Sequence, residues 1–189
     1  MGQEGGINYK PSHGKRFGYS TIYGRVGEHE QAYMTRLWIG RLRLHIFHKG
    51  DNDPDCHDHP WDFWTFPLTP YIEEVLTLIR DTITEGTAPK PPRYQRTRQV
   101  VPAWRWSFRP ATHTHRVLGP VGDEPDQLIA TLYKLPQPSI GKGKIVTIVW
   151  RAKAERSWGF LKDRGGKWCW VGWKDYVFSG GKDAPCNDE

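Results

Sequence analysis

Four of the eight histidines fall in two short runs, His57-Asp58-His59 and His113-Thr114-His115. In an extended backbone, residues two apart point to the same face, so each run can aim two imidazoles at one point. A divalent first-row metal needs at least three convergent ligands with nitrogens at ~2.0–2.2 Å, and two such pairs on facing strands could supply them. A lone His-x-His is more often an ordinary surface pair. The second pair, placed behind Pro110 in a chain of short strands, makes a metal site the better reading, provided the fold brings the two runs together.

The elements that must do so are strands. Leu42, Leu44 and Ile46 alternate with Arg41, Arg43 and His45, the pattern of a half-buried strand, and His45 and His48 read as packing or surface residues. Lys49 to Asp55 is a run of turn formers that delivers the chain to the first histidine pair. Trp61–Leu68 and Tyr71–Ile83 read as a hairpin turning at Thr69-Pro70. Residues 84–92 form a loop, 93–101 a basic strand, and Trp104–Phe108 a further strand that runs into the second histidine pair and Val117-Leu118. Residues 119–126 and 135–143 read as loops, 127–134 and 144–151 as strands. Alternating rings around Gly165-Gly166 suggest a closing hairpin or lid over residues 157–178 that plugs one end of the core. The fold class expected is all-β: one jelly-roll or related barrel over residues 35–178, with an irregular N-terminal arm (1–34) and a flexible tail (179–189).

Composition sets limits. A chain of 189 residues holds one domain with a proper core, and ten tryptophans with 13% aromatics imply that rings build much of it. The formal charge of +6 permits attraction to nucleic acid, yet the basic residues are scattered and no nucleic-acid-binding motif is present, so that class ranks last. Three cysteines without a C-x-x-C pair lead us to expect no disulfide and a cytoplasmic protein. No apolar leader and no long apolar run suggest a membrane role.

His57-x-His59 and the later Pro110 followed by His115 resemble the two histidine motifs of the cupin superfamily. The run His57-Asp58-His59-Pro60-Trp61-Asp62-Phe63, with Tyr71-x-Glu73, Thr114-His115-Arg116-Val117 and Trp158-Gly159-Phe160, resembles small cupin-like proteins of bacteria and their phages over residues 35–176. The resemblance implies a metal held by His57, His59 and His115 with one acid. The usual first-motif glutamate is absent, its positions being Phe63 and Trp64. Glu73 is the preferred replacement, Glu74 follows from strict hairpin pairing, Asp62 would need a bulge at Pro60, and a three-histidine site is the remaining case.

Other residues take supporting roles in this expectation. His113 orients a ligand or touches substrate, Arg109 and Arg116 are candidate forks for a carboxylate or phosphate, and Trp61, Trp64, Tyr71 and Trp106 form the substrate wall. The leading function is a mononuclear non-haem metal oxygenase for a small organic substrate, with Fe(II) preferred and Mn, Ni or Zn compatible with the same ligands. The alternatives are a non-catalytic barrel that binds a sugar, nucleotide or peptide, and a metal-dependent isomerase or epimerase. A homodimer through a sheet edge or the N-terminal arm is the expected assembly.

Overall fold

Alternating side chains and frequent turn residues break this chain into short strands that wrap between two sheets. The computed structural model describes residues 16–26, 29–79, 91–126 and 137–186. Within them run β1 (Phe17–Val26), β2 (His29–Ile39), β3 (Leu42–Phe47), β4 (Cys56–His57), β5 (Phe63–Pro67), β6 (Tyr71–Ile79) and β7 (Arg93–Val101). There follow β8 (Ser107–Arg109), β9 (His115–Asp126), β10 (Gln137–Ile140), β11 (Ile145–Arg151), β12 (Gly159–Arg164), β13 (Lys167–Gly172) and a short helix, α1 (Trp173–Phe178). One sheet has the order β1-β2-β3-β11-β5-β8; the other runs β13-β12-β4-β9-β6-β7, with β10 paired to β9. Together they form an all-β, nearly closed barrel. No helix of the described residues is long and apolar enough to cross a membrane.

The core lies between the inward faces. On β5 and β11 burial alternates, with Phe63, Thr65, Ile145, Thr147 and Val149 buried and Trp64 and Trp150 exposed. Tyr71, Val101, Val117 and Ile145 pack together with Phe47, and each such side chain contributes ~1.5–3 kcal/mol by leaving water. Thr65 and Thr147, buried on neighbouring strands, satisfy each other through a 2.7 Å hydroxyl contact. Strand β6 is buried on both faces from Tyr71 to Leu76, because a second cluster of Cys56, Leu76 and Leu161, with Tyr94 and Trp168, covers its outside.

Several expectations need correction. Trp61–Leu68 and Tyr71–Ile83 do not form a hairpin: β5 pairs β11 and β8, whereas β6 pairs β7 and β9. Thr69-Pro70 carries the chain from one sheet to the other, and a local turn signal does not distinguish that crossing from a hairpin. The arm expected to be irregular contains β1, which pairs along β2 from Phe17↔Ile39 to Val26↔His29. Its alternation is masked because its inward positions include Gly18 and Ser20. A Cβ on Gly18 would lie 2.6 Å from the Trp38 ring, so a small residue is required there. Residues 119–126, expected to be a loop, continue β9, and β10 lies inside the Pro/Gly stretch 135–143. The strand expected at 127–134 and the loop at 84–90 lie outside the described residues.

The aromatic tail does form a closing hairpin. β12 pairs β13 across Gly165-Gly166, both with positive φ (68° and 82°), a turn conformation that glycine adopts without a Cβ clash. The helix that follows was not anticipated, and residues 179–186 are not frayed. Tyr176 stacks on Phe160 at 3.8 Å, Lys162 Nζ donates to the carbonyls of Gly181 and Ala184, and Cys186 bonds Cys169 in a disulfide. Cysteine count alone missed this pair because the tail must first fold back over β13.

Candidate metal centre

Strand register assembles the histidines. In β4 and β9, His57 stands directly opposite His115, and Val75 of β6 lies opposite His115 on its other side. Directly opposed residues share a face, so His57 and His115 both point inward. His59 follows in a loop whose path is fixed by the His59 amide, which donates to the Ala111 carbonyl at 2.9 Å. Asp62 fastens the same loop by accepting from the Ala111 amide at 2.6 Å. Asp58, on the far side, holds Gly159 N, the Trp170 indole and Arg156.

The three rings converge, with centroids 5.2 to 5.5 Å apart, and their ligand atoms form a group that could hold a metal ion. His59 Nε2 lies 3.0 Å from His115 Nε2. On its opposite side His115 Nδ1 lies 2.8 Å from Glu73 Oε2. The carboxylate can only accept, so Nδ1 carries the proton and the Nε2 lone pair faces His57 and His59. This is the orientation a metal-binding imidazole requires. Burial lowers the pKa of His57 to about 4 and that of His59 well below the usual range, aided for His59 by the neighbouring imidazoles. Both rings are therefore neutral at pH 7, the ligand-competent form.

Glu73 sits behind His115 rather than beside His57 and His59. It is fully buried and bridges the two sheets: Oε1 accepts from Arg109 of β8 at 2.8 Å and from Gln99 at 2.7 Å. Burial alone would raise its pKa, but the His113 and His115 imidazoles and the Arg109 guanidinium outweigh that and hold it well below the usual carboxylate range. A second potential group joins Glu73, His113 and His115. There the carboxylate already accepts three hydrogen bonds, so the three-imidazole group is the freer donor set. His113 Nε2 approaches Glu73 Oε1 only to 3.6 Å.

The other candidates separate by face. Arg116 and Glu74 point to the outside of β9 and β6, where Glu74 binds Arg116 at 2.9 Å and Arg96 at 2.8 Å. Asp62 is taken up by Ala111, so neither Glu74 nor Asp62 reaches the imidazoles. Trp64 and Trp106 lie on the outward face and are 46% and 53% exposed, because β5 sends Phe63 and Thr65 inward instead. Tyr71 is buried in the core, and burial raises its hydroxyl pKa. Trp61 lies at the rim under Arg151, 4.6 Å from the guanidinium carbon, and lines a cleft of about 300 Å³ with Asp62, Ala111, Lys153 and Arg156.

The rings that do surround the histidines are Phe63, 4.6 Å from His59, with Phe160 and Trp158, 5.7 and 5.9 Å from His57. Phe63 occupies a position where the usual glutamate was sought, and the alternation of β5 signals its inward direction. Gln99 was also missed; its signal is its place directly opposite Glu73 in the β6–β7 pair. Among the same group of side chains, His45 Nε2, Arg109 Nε and His113 Nε2 are buried without a hydrogen-bond partner. Orphaned polar atoms of this kind cost ~1–3 kcal/mol each unless a ligand or water completes them.

No family model and no curated protein matches the chain. Among solved structures, DMSP lyase DddQ from Ruegeria pomeroyi DSS-3 aligns at 16% identity with a TM-score of 0.32, over 81% of this chain and 55% of that one. Hydroxypropylphosphonic acid epoxidase from S. wedmorenis aligns at 9% identity with a TM-score of 0.33, over 71% and 50%. CoII HppE in complex with substrate gives 9% and 0.32, over 79% and 64%. The chain thus spans about half the length of the first two. Superpositions this loose say nothing about chemistry.

Proposed function

We propose that this barrel is a mononuclear metal enzyme that oxidises a small organic substrate, with His57, His59 and His115 as the metal ligands and Fe(II) as the metal. The observation that carries the reading is the orientation of His115: a buried carboxylate fixes its Nδ1 proton and turns the Nε2 lone pair toward two further neutral imidazoles. Three imidazoles leave coordination positions open, and iron so bound supplies dioxygen activation.

The chain's own residues do the rest. Glu73 keeps His115 in one tautomer and is itself held by Arg109 and Gln99. Phe63, Trp158 and Phe160 exclude water from one side of the imidazoles and offer apolar surface to a substrate. Arg109 Nε has no hydrogen-bond partner near the imidazoles and His113 Nε2 reaches Glu73 only at 3.6 Å, so both are suited to a polar group of the substrate. The rim cleft between Trp61 and Arg156 adjoins the main chain of His59, since Arg156 donates to the His59 carbonyl, and serves as the approach.

Anaerobic reconstitution with Fe(II) followed by nitric oxide tests the assignment. A high-spin iron-nitrosyl spectrum from the native protein, absent from His57→Ala, is the expected result. Tight iron binding with no access for nitric oxide would leave a closed metal site and remove the oxygenase reading. The same loaded protein, supplied with oxygen and a panel of small organic acids and alcohols, should consume oxygen with at least one of them.

A further inference from the structure

The outward face of the six-stranded sheet carries an apolar stripe that the proposed chemistry does not use. Register places Phe17, Ile39, Leu42, Trp150, Trp64 and Phe108 in a single row across all six strands. A second row runs Tyr19, Leu37, Leu44, Ile148 and Phe66, extended by Trp106, whose ring lies 5.1 Å from Phe66. These side chains stand in the open: Phe17 is 72% exposed, Tyr19 77% and Ile39 65%, and Trp64, Phe108 and Trp150 are each nearly half exposed.

Two magnitudes make this face unusual. Six rings at roughly half of ~200 Å² each, with three exposed aliphatic side chains, give an apolar patch of roughly 800–900 Å². The largest patch on an ordinary monomer is ~300–600 Å², whereas one side of a standard protein interface buries ~800 Å². The second magnitude is charge. The chain carries +6, yet neither row contains a charged residue. Charged residues stand elsewhere: Arg96, Arg116 and Glu74 are paired on the outside of the other sheet, and Arg109 pairs Glu73 inside the barrel.

We infer that this face seats a second copy of the chain, the two six-stranded sheets packing face to face about a two-fold axis. Two like-charged copies can approach there because the contact surface is neutral. A row of large side chains on one sheet face is self-complementary when two such sheets stack ~10 Å apart at the small angle their twist sets. A partner selected by charge would find nothing to read on this surface. The inference is independent of the metal site, which opens to the inside of the barrel.

Sedimentation equilibrium of the full chain tests it, with Phe17→Lys/Tyr19→Lys and Trp150→Lys as two separate variants. The first pair is so exposed that folding should be untouched. The native protein is expected to sediment at twice 21.9 kDa, and each variant to raise the dimer dissociation constant at least a hundred-fold with an unchanged circular dichroism spectrum. A native monomer, which would mean that another segment of this chain covers the stripe or that it stays bare, overturns the inference. So does a dimer that persists with the same constant in the folded Phe17→Lys/Tyr19→Lys variant.

Discussion

His115 meets Glu73 with Nδ1 and His59 with Nε2, so the carboxylate fixes the proton on one nitrogen and leaves the other turned toward the neighbouring imidazoles. Replacing Glu73 with Gln removes the charge that fixes the Nδ1 proton and leaves Arg109 without its carboxylate. We expect metal affinity to fall 10- to 100-fold, measured by competition with a chromophoric chelator. Glu73→Ala should also cost ~3–5 kcal/mol in urea denaturation, because a buried guanidinium is left unpaired. Arg109→Met combined with Glu73→Ala should recover part of that loss, which a double-mutant cycle reads directly.

Acid provides a second test on single residues. His57, His59 and His45 are largely withdrawn from water and held neutral, with pKa values below that of a free imidazole. A depressed histidine pKa means that the unfolded chain takes up protons first. The stability of the metal-free protein is therefore complete above about pH 6.5 and falls as the pH drops toward 4. His57 alone, lowered to about 4, accounts for about 3 kcal/mol of that loss. Urea midpoints at pH 7 and pH 5 should show it, and bound metal should shift the fall to lower pH by competing with the protons.

Among the elements, the tail is tied to the barrel more firmly than its composition implied. The Cys169–Cys186 disulfide spans 17 residues, and closing a loop of that size is worth ~3 kcal/mol in the chain-entropy account. Reduction or Cys186→Ser should lower the urea midpoint accordingly and expose residues 179–186 to protease first. Cys56 should behave in the opposite way. It is fully buried under Leu76 and Leu161, and burial pushes its thiol up to about 12, so a thiol reagent should leave it unmodified until the protein unfolds.

The same elements mark where sequence reasoning worked and where it stopped. β3, β7, β11 and the β12–β13 hairpin were legible because alternation and glycine turns are local signals. The partners of β5 and β6 were not, since a turn at Thr69-Pro70 fits both a hairpin and a passage between sheets. That error decided the acid. In the hairpin, Glu73 or Glu74 would have completed the ligand set from the neighbouring strand, whereas in the barrel Glu73 reaches His115 from the next strand and contacts only its rear nitrogen. The direction of Trp64 and Trp106 was lost for a similar reason: aromatic content says that rings pack, and only the alternation of β5 says on which side.

For the molecule as a whole, the two sheets have divided their labour. Their inner faces bring imidazoles, a buried ion pair and a ring-lined pocket together from β4, β6, β8 and β9. The outer face of one sheet carries the Glu74 ion pairs with Arg96 and Arg116 beside an apolar cluster of Cys56, Leu76 and Leu161, and the outer face of the other is the neutral aromatic stripe. Passage of the chain back and forth between the sheets makes this possible, because histidines distant in sequence land on adjacent strands. Spacing singled out four histidines and the family resemblance chose His115 over His113, whereas Gln99 and Arg109 behind Glu73 depend on pairing that no local pattern encodes.

The central claim is that the three imidazoles hold a metal, and elemental analysis of untagged protein measures this most directly, with the His57→Ala/His115→Ala double variant in parallel. Near-stoichiometric transition metal, iron foremost, is expected in the native protein, with its loss from a folded variant. No metal in the native protein even after anaerobic reconstitution, or equal metal in both, would contradict it.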